Sequence, residues 1–129
     1  MLEPKTITEL MNVFEVSFKS FLTILKAISN EKRFTILIAL LSGEKTFNDL
    51  KIETKLQKTA LSNHLLKLLK AELIVKPDHN KYRLTSDGEL FIRALETAYD
   101  KSDIKEKKNI EELQKRQFSA TFIESFFGH

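Results

Sequence analysis

The residues with the clearest chemical use lie in the stretch KTALSNHLLKLLKAE, from Lys58 to Glu72. Leucines at 61, 65, 68 and 69 recur with the 3.6-residue period of a helix and predict a stripe that faces a core. The opposite face carries Thr59, Asn63, Lys67 and Lys70, and it has no carboxylate. Amides and hydroxyls can hydrogen-bond base edges, and ammonium groups can contact phosphates, so this face suits the major groove of DNA.

Residues in the first turns of such a helix reach deepest into the groove, and they are the candidates for reading bases. We expect base contacts from Thr59, Ala60, Ser62 and Asn63, and backbone contacts from Lys58, Lys67, Lys70, Lys81 and Arg83. Asn63 is the strongest candidate, because a carboxamide can pair bidentately with adenine. The alternative is that each of these side chains is simply solvated.

No arrangement in the sequence favours catalysis or a bound metal. Ser62 and His64 lie two residues apart on one predicted helix, so they point in different directions and cannot form a nucleophile and base. His64 is expected to be half-buried and bonded to backbone or phosphate. With no cysteine, and with His64, His79 and His129 far apart, the chain offers no metal-ligand set. We therefore expect no enzyme activity, no metal and no cofactor.

Positive charge is concentrated around the predicted reading helix. Residues 51–83 carry eight basic and three acidic residues, a net charge of +5, whereas the remainder of the chain is −2. A local basic surface is typical of a polyanion binder, although a lysine-rich solvated surface is the alternative.

The composition indicates one small, soluble protein. A chain of 129 residues with 42% hydrophobic content is long enough for one core and short for two. The absence of cysteine fits a reducing cytoplasm, the N-terminus lacks the apolar core of a signal peptide, and the longest apolar run, 34–41, cannot span a bilayer. We expect a cytoplasmic protein with no membrane partner.

Hydrophobic periodicity and capping residues predict six helices and a small hairpin. The predicted helices span 8–29, 30–41, 46 to about 54, 58–72, 85–99 and 110–127, with a bend at 55–57 and two strands around the turn at 77–80. The second helix, apolar nearly all round, should be the most buried. In the third, Thr46 and Asp49 should form a capping box, while Phe47, Leu50 and Ile52 supply the buried side. Residues 100–109 form either a solvated helical turn or a linker.

Surplus phenylalanines on both terminal helices point to contacts with another chain. The candidates are Phe14, Phe18 and Phe21 near the N-terminus and Phe118, Phe122 and Phe126 near the C-terminus, with packing inside the chain as the alternative. The expected organisation is an N-terminal helix (1–29), a DNA-binding domain (30–99) and a C-terminal dimerisation helix (100–129).

The element order, together with particular residues, resembles the ArsR-like family of transcriptional regulators. Ser62-Asn63-His64-Leu65 is similar to that family's Ser-x-His-Leu, Ala71-Glu72-Leu73-Ile74 to its Ala-Gly-Leu-Val, and Tyr82-Arg83-Leu84-Thr85-Ser86-Asp87-Gly88 to a common wing-closing motif. Asn30-Glu31-Lys32-Arg33 stands where the family often has Asp-Pro-Thr-Arg. The likeness covers residues 27–95 and implies a mainly α fold with a small β-hairpin, a winged helix-turn-helix with N- and C-terminal helical extensions.

The chain also departs from that family. Lys55 and Glu72 replace glycines at two sites where positive φ is expected. The residues that bind metal in metal-sensing members are absent, so metal sensing is not implied.

Two functions remain open at this point. The first is a homodimeric, sequence-specific regulator of transcription that binds double-stranded DNA, with an unidentified small apolar effector as a candidate ligand between Phe-lined helices. The second is a winged-helix protein-interaction module that binds a partner through its Phe-rich C-terminal helix.

Overall fold

The computed structural model describes the backbone of residues 3–127 and the side chains of residues 3–116. Within that range the elements are α1 (Ile7–Val16), α2 (Phe18–Ile28), α3 (Glu31–Leu40), β1 (Lys45–Thr46), α4 (Phe47–Thr54), α5 (Lys58–Lys70), β2 (Ile74–Asp78), β3 (Lys81–Leu84), α6 (Ser86–Asp100) and α7 (Asp103–Phe127). The predicted fold class is confirmed: a mainly α protein with a helix-turn-helix, α4 and α5, followed by a β-hairpin wing. The chain divides into two compact units after Leu90.

The core of the first unit is built from leucine and isoleucine side chains of α3, α4, α5 and β2. Its most deeply buried members are Ile36, Leu37, Leu50, Leu61, Leu65, Leu68, Leu73 and Ile74. Helix α3 has four buried residues, more than any other helix among the described side chains, as expected for the most buried helix. Phe34, Ile38 and the adjoining Leu41 nevertheless remain 37–49% exposed. Helix α3 packs against α2, α4, α5 and β3, and these three apolar residues lie outside the surface that those elements cover.

The predicted capping box begins α4. The Asp49 N–H donates to Thr46 Oγ1 and the Thr46 N–H donates to Asp49 Oδ2, both at 3.0 Å. The hydrogen bonds from Thr46 stabilise the Asp49 carboxylate and lower its pKa from the ordinary value. Ile52, predicted to be buried, is instead 67% exposed, because two residues correspond to a 200° rotation from Leu50. Thr54 takes the buried position and donates from its hydroxyl to the Leu50 carbonyl at 2.7 Å.

Two residues other than glycine adopt left-handed backbone conformations at the turns before and after α5. Lys55 ends α4 with φ of 58°, and Glu72 follows α5 with φ of 60°. Both positive-φ predictions are therefore confirmed, at a cost on the order of 1 kcal/mol each relative to glycine. Helix α5 ends at Lys70, two residues before the predicted end.

The wing contains one more strand than predicted. Strands β2 and β3 pair antiparallel, with Ile74 opposite Leu84, and the register shifts between Val75 and Asp78 around Pro77. The short strand β1 pairs with the other edge of β3 to give the order β1-β3-β2. Two residues are too few to show alternation in the sequence, so β1 was not recognisable.

The predicted helix 8–29 is two helices rather than one. Ser17 separates α1 from α2 with φ of −107° and ψ of 22°, which departs from helical geometry. The Phe14 and Phe21 rings lie on either side of this break, with centroids 4.6 Å apart and planes at 58°. No glycine or proline marks the break, so periodicity alone did not indicate it.

In the second unit, the helical alternative for residues 100–109 describes most of the stretch, and only Lys101 and Ser102 separate α6 from α7. Helix α7 begins at Asp103 rather than at Ile110, so most of the polar stretch 100–109 is helical. The Ser102 hydroxyl accepts from the Lys105 N–H at 3.2 Å and caps α7. Ile92 of α6 is buried, whereas Leu95 of the same helix is 44% exposed. Within the described residues, no helix has the length and apolar character needed to cross a membrane.

Gly88 lies at the junction between the wing and α6 and gives a stability prediction. A Cβ on Gly88 would overlap the carbonyl oxygen of Leu73 and lie 3.0 Å from its carbonyl carbon. That carbonyl also accepts from the Thr85 N–H at 3.1 Å, so it is not free to move. We expect Gly88→Ala to lower the free energy of unfolding by about 1–3 kcal/mol, measured by urea denaturation. Ser86→Ala, at an exposed neighbouring position, should change it by less than about 0.5 kcal/mol; an equal effect of the two variants would contradict the steric explanation.

Candidate nucleic-acid interface

Helix α5 buries its predicted leucine stripe except for Leu69, which is half-buried. Leu61, Leu65 and Leu68 are no more than 2% exposed and anchor the helix to the core. The opposite face is open to solvent. Lys58, Thr59, Ser62, Asn63, Lys67 and Lys70 are exposed, and Ala60 is half-buried. The structure therefore brings together on one helix all seven of the residues that the sequence assigned to it.

The exposed face of α5 is free of negative charge. No acidic residue occurs between Lys58 and Lys70. In the described part of the structure, none of its three lysines takes part in an ion pair. The ammonium groups are therefore available to an external anion.

The wing supplies further cations, but one of them is already engaged. Lys81 and Arg83 are exposed on β3. Arg83 Nη1 donates to Glu44 Oε1 at 3.3 Å, and both side chains are more than a third exposed. A surface pair of this kind contributes less than about 1 kcal/mol. Arg83 can therefore exchange Glu44 for a phosphate at little cost.

Arg33 of α3 makes hydrogen bonds to both α2 and α5. Its buried guanidinium donates from Nε to the Ala27 carbonyl and from Nη2 to the Lys26 carbonyl, both at 2.8 Å. Its Nη1 lies 3.3 Å from Nδ1 of His64 on α5. The guanidinium thus caps the last turn of α2, where free carbonyls favour a cation, and also reaches α5.

His64 is half-buried, as predicted, and the partner of its Nδ1 is the Arg33 side chain rather than a backbone group. Burial lowers the pKa of His64, and the charges of Arg33 and Lys67 lower it further. Since an arginine can only donate, Nδ1 is the acceptor, and the proton of the neutral ring is on Nε2. His64 therefore orients α5.

A groove of about 570 Å³ lies between α2 and α5 and adds a cation that the sequence reasoning missed. It is lined by Thr23, Lys26, Ala27, Ser29, Arg33, Lys67 and Lys70. Lys26 belongs to α2 and lies outside the basic segment 51–83, so counting charge along the sequence did not associate it with α5. The basic surface is therefore wider than predicted.

Arg33 and Leu66 were also missed. Arg33 could have been noticed because it lies three and four residues before Ile36 and Leu37, on the apolar side of α3. Leu66, which is 49% exposed, falls on the polar side of α5 when its residues are placed 100° apart.

The residues proposed for dimer contacts divide between described and undescribed positions. Phe14 and Phe18 are 48% and 59% exposed, and Phe21 is half-buried. Helix α1 has no buried residue, and its Ile7, Met11 and Val16 are 67–79% exposed. Phe118, Phe122 and Phe126 lie outside the described side chains. The N-terminal helices therefore present an apolar surface that the first unit leaves uncovered.

Across the described residues, no group of three or more His, Cys, Asp or Glu side chains is arranged to hold a metal ion.

Comparison with known proteins identifies the family. A family model described as bacterial regulatory protein, arsR family, matches residues 30–76, which include all of α3, α4 and α5. Among solved structures, reduced HlyU from Vibrio cholerae is 30% identical over 67% of this chain and 95% of its own, with a TM-score of 0.57. NolR from Sinorhizobium fredii is 26% identical over 76% of this chain and 97% of its own, with a TM-score of 0.55.

A third similar structure, from Mycobacterium bovis, is described as a homodimeric winged helix-turn-helix DNA-binding domain and a possible ArsR-family regulator. It has a TM-score of 0.59 over 81% of this chain and 95% of its own, and its 18% identity shows the shared fold alone. No curated protein matches the chain. The helix-turn-helix, the family match and these similar structures together show that the chain belongs to the arsR family of bacterial regulatory proteins and is a winged helix-turn-helix, DNA-binding transcriptional regulator.

Proposed function

We propose that this protein is a homodimer that binds a specific double-stranded DNA sequence by inserting α5 into the major groove. The observation that carries the proposal is the exposed face of α5, where amide, hydroxyl and ammonium groups stand on a leucine-anchored helix with no acidic residue.

The proposed base contacts lie in the first two turns of α5. Thr59, Ala60, Ser62 and Asn63 are the proposed base contacts, since this end of a recognition helix lies deepest in the groove. Asn63 is exposed and unobstructed, so its carboxamide can both donate to and accept from an adenine edge.

Five cations are proposed to hold the DNA backbone. Lys58, Lys67 and Lys70 extend along α5, and Lys81 and Arg83 extend from the wing. Phosphate contacts of this kind fix orientation and supply affinity but carry no sequence information.

The homodimer is supported by the uncovered apolar surface of α1 and α2, including Phe14, Phe18 and Phe21. The Mycobacterium bovis protein of the same fold is described as homodimeric. A two-fold dimer would present two α5 helices about 34 Å apart, matching a palindromic site. Dimer contacts from Phe118, Phe122 and Phe126 remain a prediction. The binding of an apolar effector at the interface is also a prediction.

The test begins with selection of bound fragments from the source genome, followed by anisotropy titrations with the selected duplex and a scrambled one. Asn63→Ala should reduce discrimination between the two by about 1–3 kcal/mol, because a bidentate base contact is lost. Lys67→Ala should weaken binding to both duplexes alike, because phosphates are the same in each.

Comparison of the two variants distinguishes a base contact from a phosphate contact. Identical behaviour of Asn63→Ala and Lys67→Ala would overturn the assignment of roles. A wild-type protein that enriches no sequence would overturn the proposed function and leave the protein-interaction alternative.

A further inference from the structure

One residue on the exposed face of α5, Leu66, has a large apolar side chain, unlike the polar residues around it. Leu66 is 49% exposed, whereas Leu61, Leu65 and Leu68 of the same helix are at most 2% exposed. With 100° per residue, Leu66 lies about 20° from Thr59 and on the same side as Asn63 and Lys70. The protein thus presents a large apolar group in the middle of its polar surface.

The position of Leu66 relates it to the proposed base contacts. It follows Thr59 and Ser62 in the i, i+3, i+7 pattern of one helical stripe. It lies one turn beyond Asn63, about 4.5 Å along the axis, and one turn before Lys70. If α5 places Asn63 on a base edge and Lys70 on a phosphate, Leu66 lies between these two contacts and faces the major groove.

The major groove offers one apolar feature that a leucine can contact. Thymine displays a C5-methyl group there, and the other bases display hydrogen-bonding groups that a leucine would leave unpaired. Burying a leucine against a methyl is favourable, whereas burying it against polar edges costs free energy.

We propose that Leu66 is a specificity-determining residue that contacts a thymine C5-methyl in each half-site of the operator. This inference rests on the proposed function, because it requires α5 to enter the major groove. It adds a thymine to the recognised sequence, next to the base pair read by Asn63.

Deoxyuridine lacks only this methyl group and provides the test. In duplexes made from the selected operator, each thymine is replaced by deoxyuridine, and binding is measured by anisotropy at fixed salt concentration. For the wild-type protein, replacing one thymine in each half-site removes two methyl contacts from the dimer and should weaken binding about 15-fold, about fourfold for each buried methyl. Leu66→Ala should bind the thymine and uracil duplexes equally, and Leu66→Met should retain the preference for thymine.

Ile52→Ala is the matched control, since Ile52 is an exposed apolar residue of α4 outside the stripe. This variant should keep the wild-type preference for thymine. Three results would overturn the inference while leaving the proposed function intact: an operator without an enriched thymine, a wild-type protein indifferent to every uracil, or a Leu66→Ala variant as sensitive as wild type. A protein that binds no duplex would overturn both.

Discussion

Raising the salt concentration from 50 to 200 mM is expected to weaken the binding of this protein to duplex DNA by about 10³- to 10⁵-fold. Five cations are proposed for each protomer, namely Lys58, Lys67, Lys70, Lys81 and Arg83, so a dimer would make up to ten phosphate contacts. Each contact releases condensed counterions from the DNA, and added salt opposes that release. The measurement is an anisotropy titration at several salt concentrations with one duplex.

Single substitutions make the salt experiment quantitative. Lys67→Gln should reduce the slope of log K against log salt by about 2, because a homodimer loses one phosphate contact from each protomer. Arg83→Gln should reduce it less, since Arg83 already pairs with Glu44 in the free protein. Lys107→Gln removes an equal charge from an exposed site on α7 and is the control. A flat response, or equal slopes for all three variants, would argue strongly against the proposed backbone contacts.

Arg33→Ala is expected to lower the free energy of unfolding by on the order of 3 kcal/mol. Arg33 is 9% exposed, and its guanidinium contacts three partners, two carbonyls of α2 and the ring of His64. Its removal leaves the Ala27 carbonyl and Nδ1 of His64 without the guanidinium donor, whereas the Lys26 carbonyl keeps the Ser29 hydroxyl at 3.3 Å. It also removes the packing of the side-chain stem. Urea denaturation measures the loss, and hydrogen exchange in α5 shows whether the reading helix becomes mobile.

Two further arginine variants separate geometry from charge. Arg33→Lys keeps the positive charge but lacks the planar fork needed to reach all three partners, so it should recover only part of the stability. Arg116→Ala removes an exposed arginine and should change the free energy of unfolding by less than about 0.5 kcal/mol. An Arg33→Ala protein as stable as wild type would mean that water replaces the guanidinium without cost.

The sequence specified those features that depend on neighbouring residues. The leucine period of α5 determined which side chains face solvent, because a helix fixes the angle between successive residues. The pair Thr46 and Asp49 determined where α4 begins, because both hydrogen bonds of the box are made within one turn. Lys55 and Glu72 were identified as positive-φ sites by their resemblance to glycine positions in the family.

The tertiary structure decided everything that depends on contacts between distant residues. Periodicity could not show that Ser17 breaks the N-terminal helix, that one face of α3 stays exposed or that β1 adds to the wing. Arg33 becomes the anchor of α5 because its partners, 6, 7 and 31 residues away, meet at one point in space. Local patterns therefore determined which polar side chains of α5 are exposed, and long-range packing decided how α5 is anchored. A pattern orders residues along one element, and only folding brings separate elements into contact.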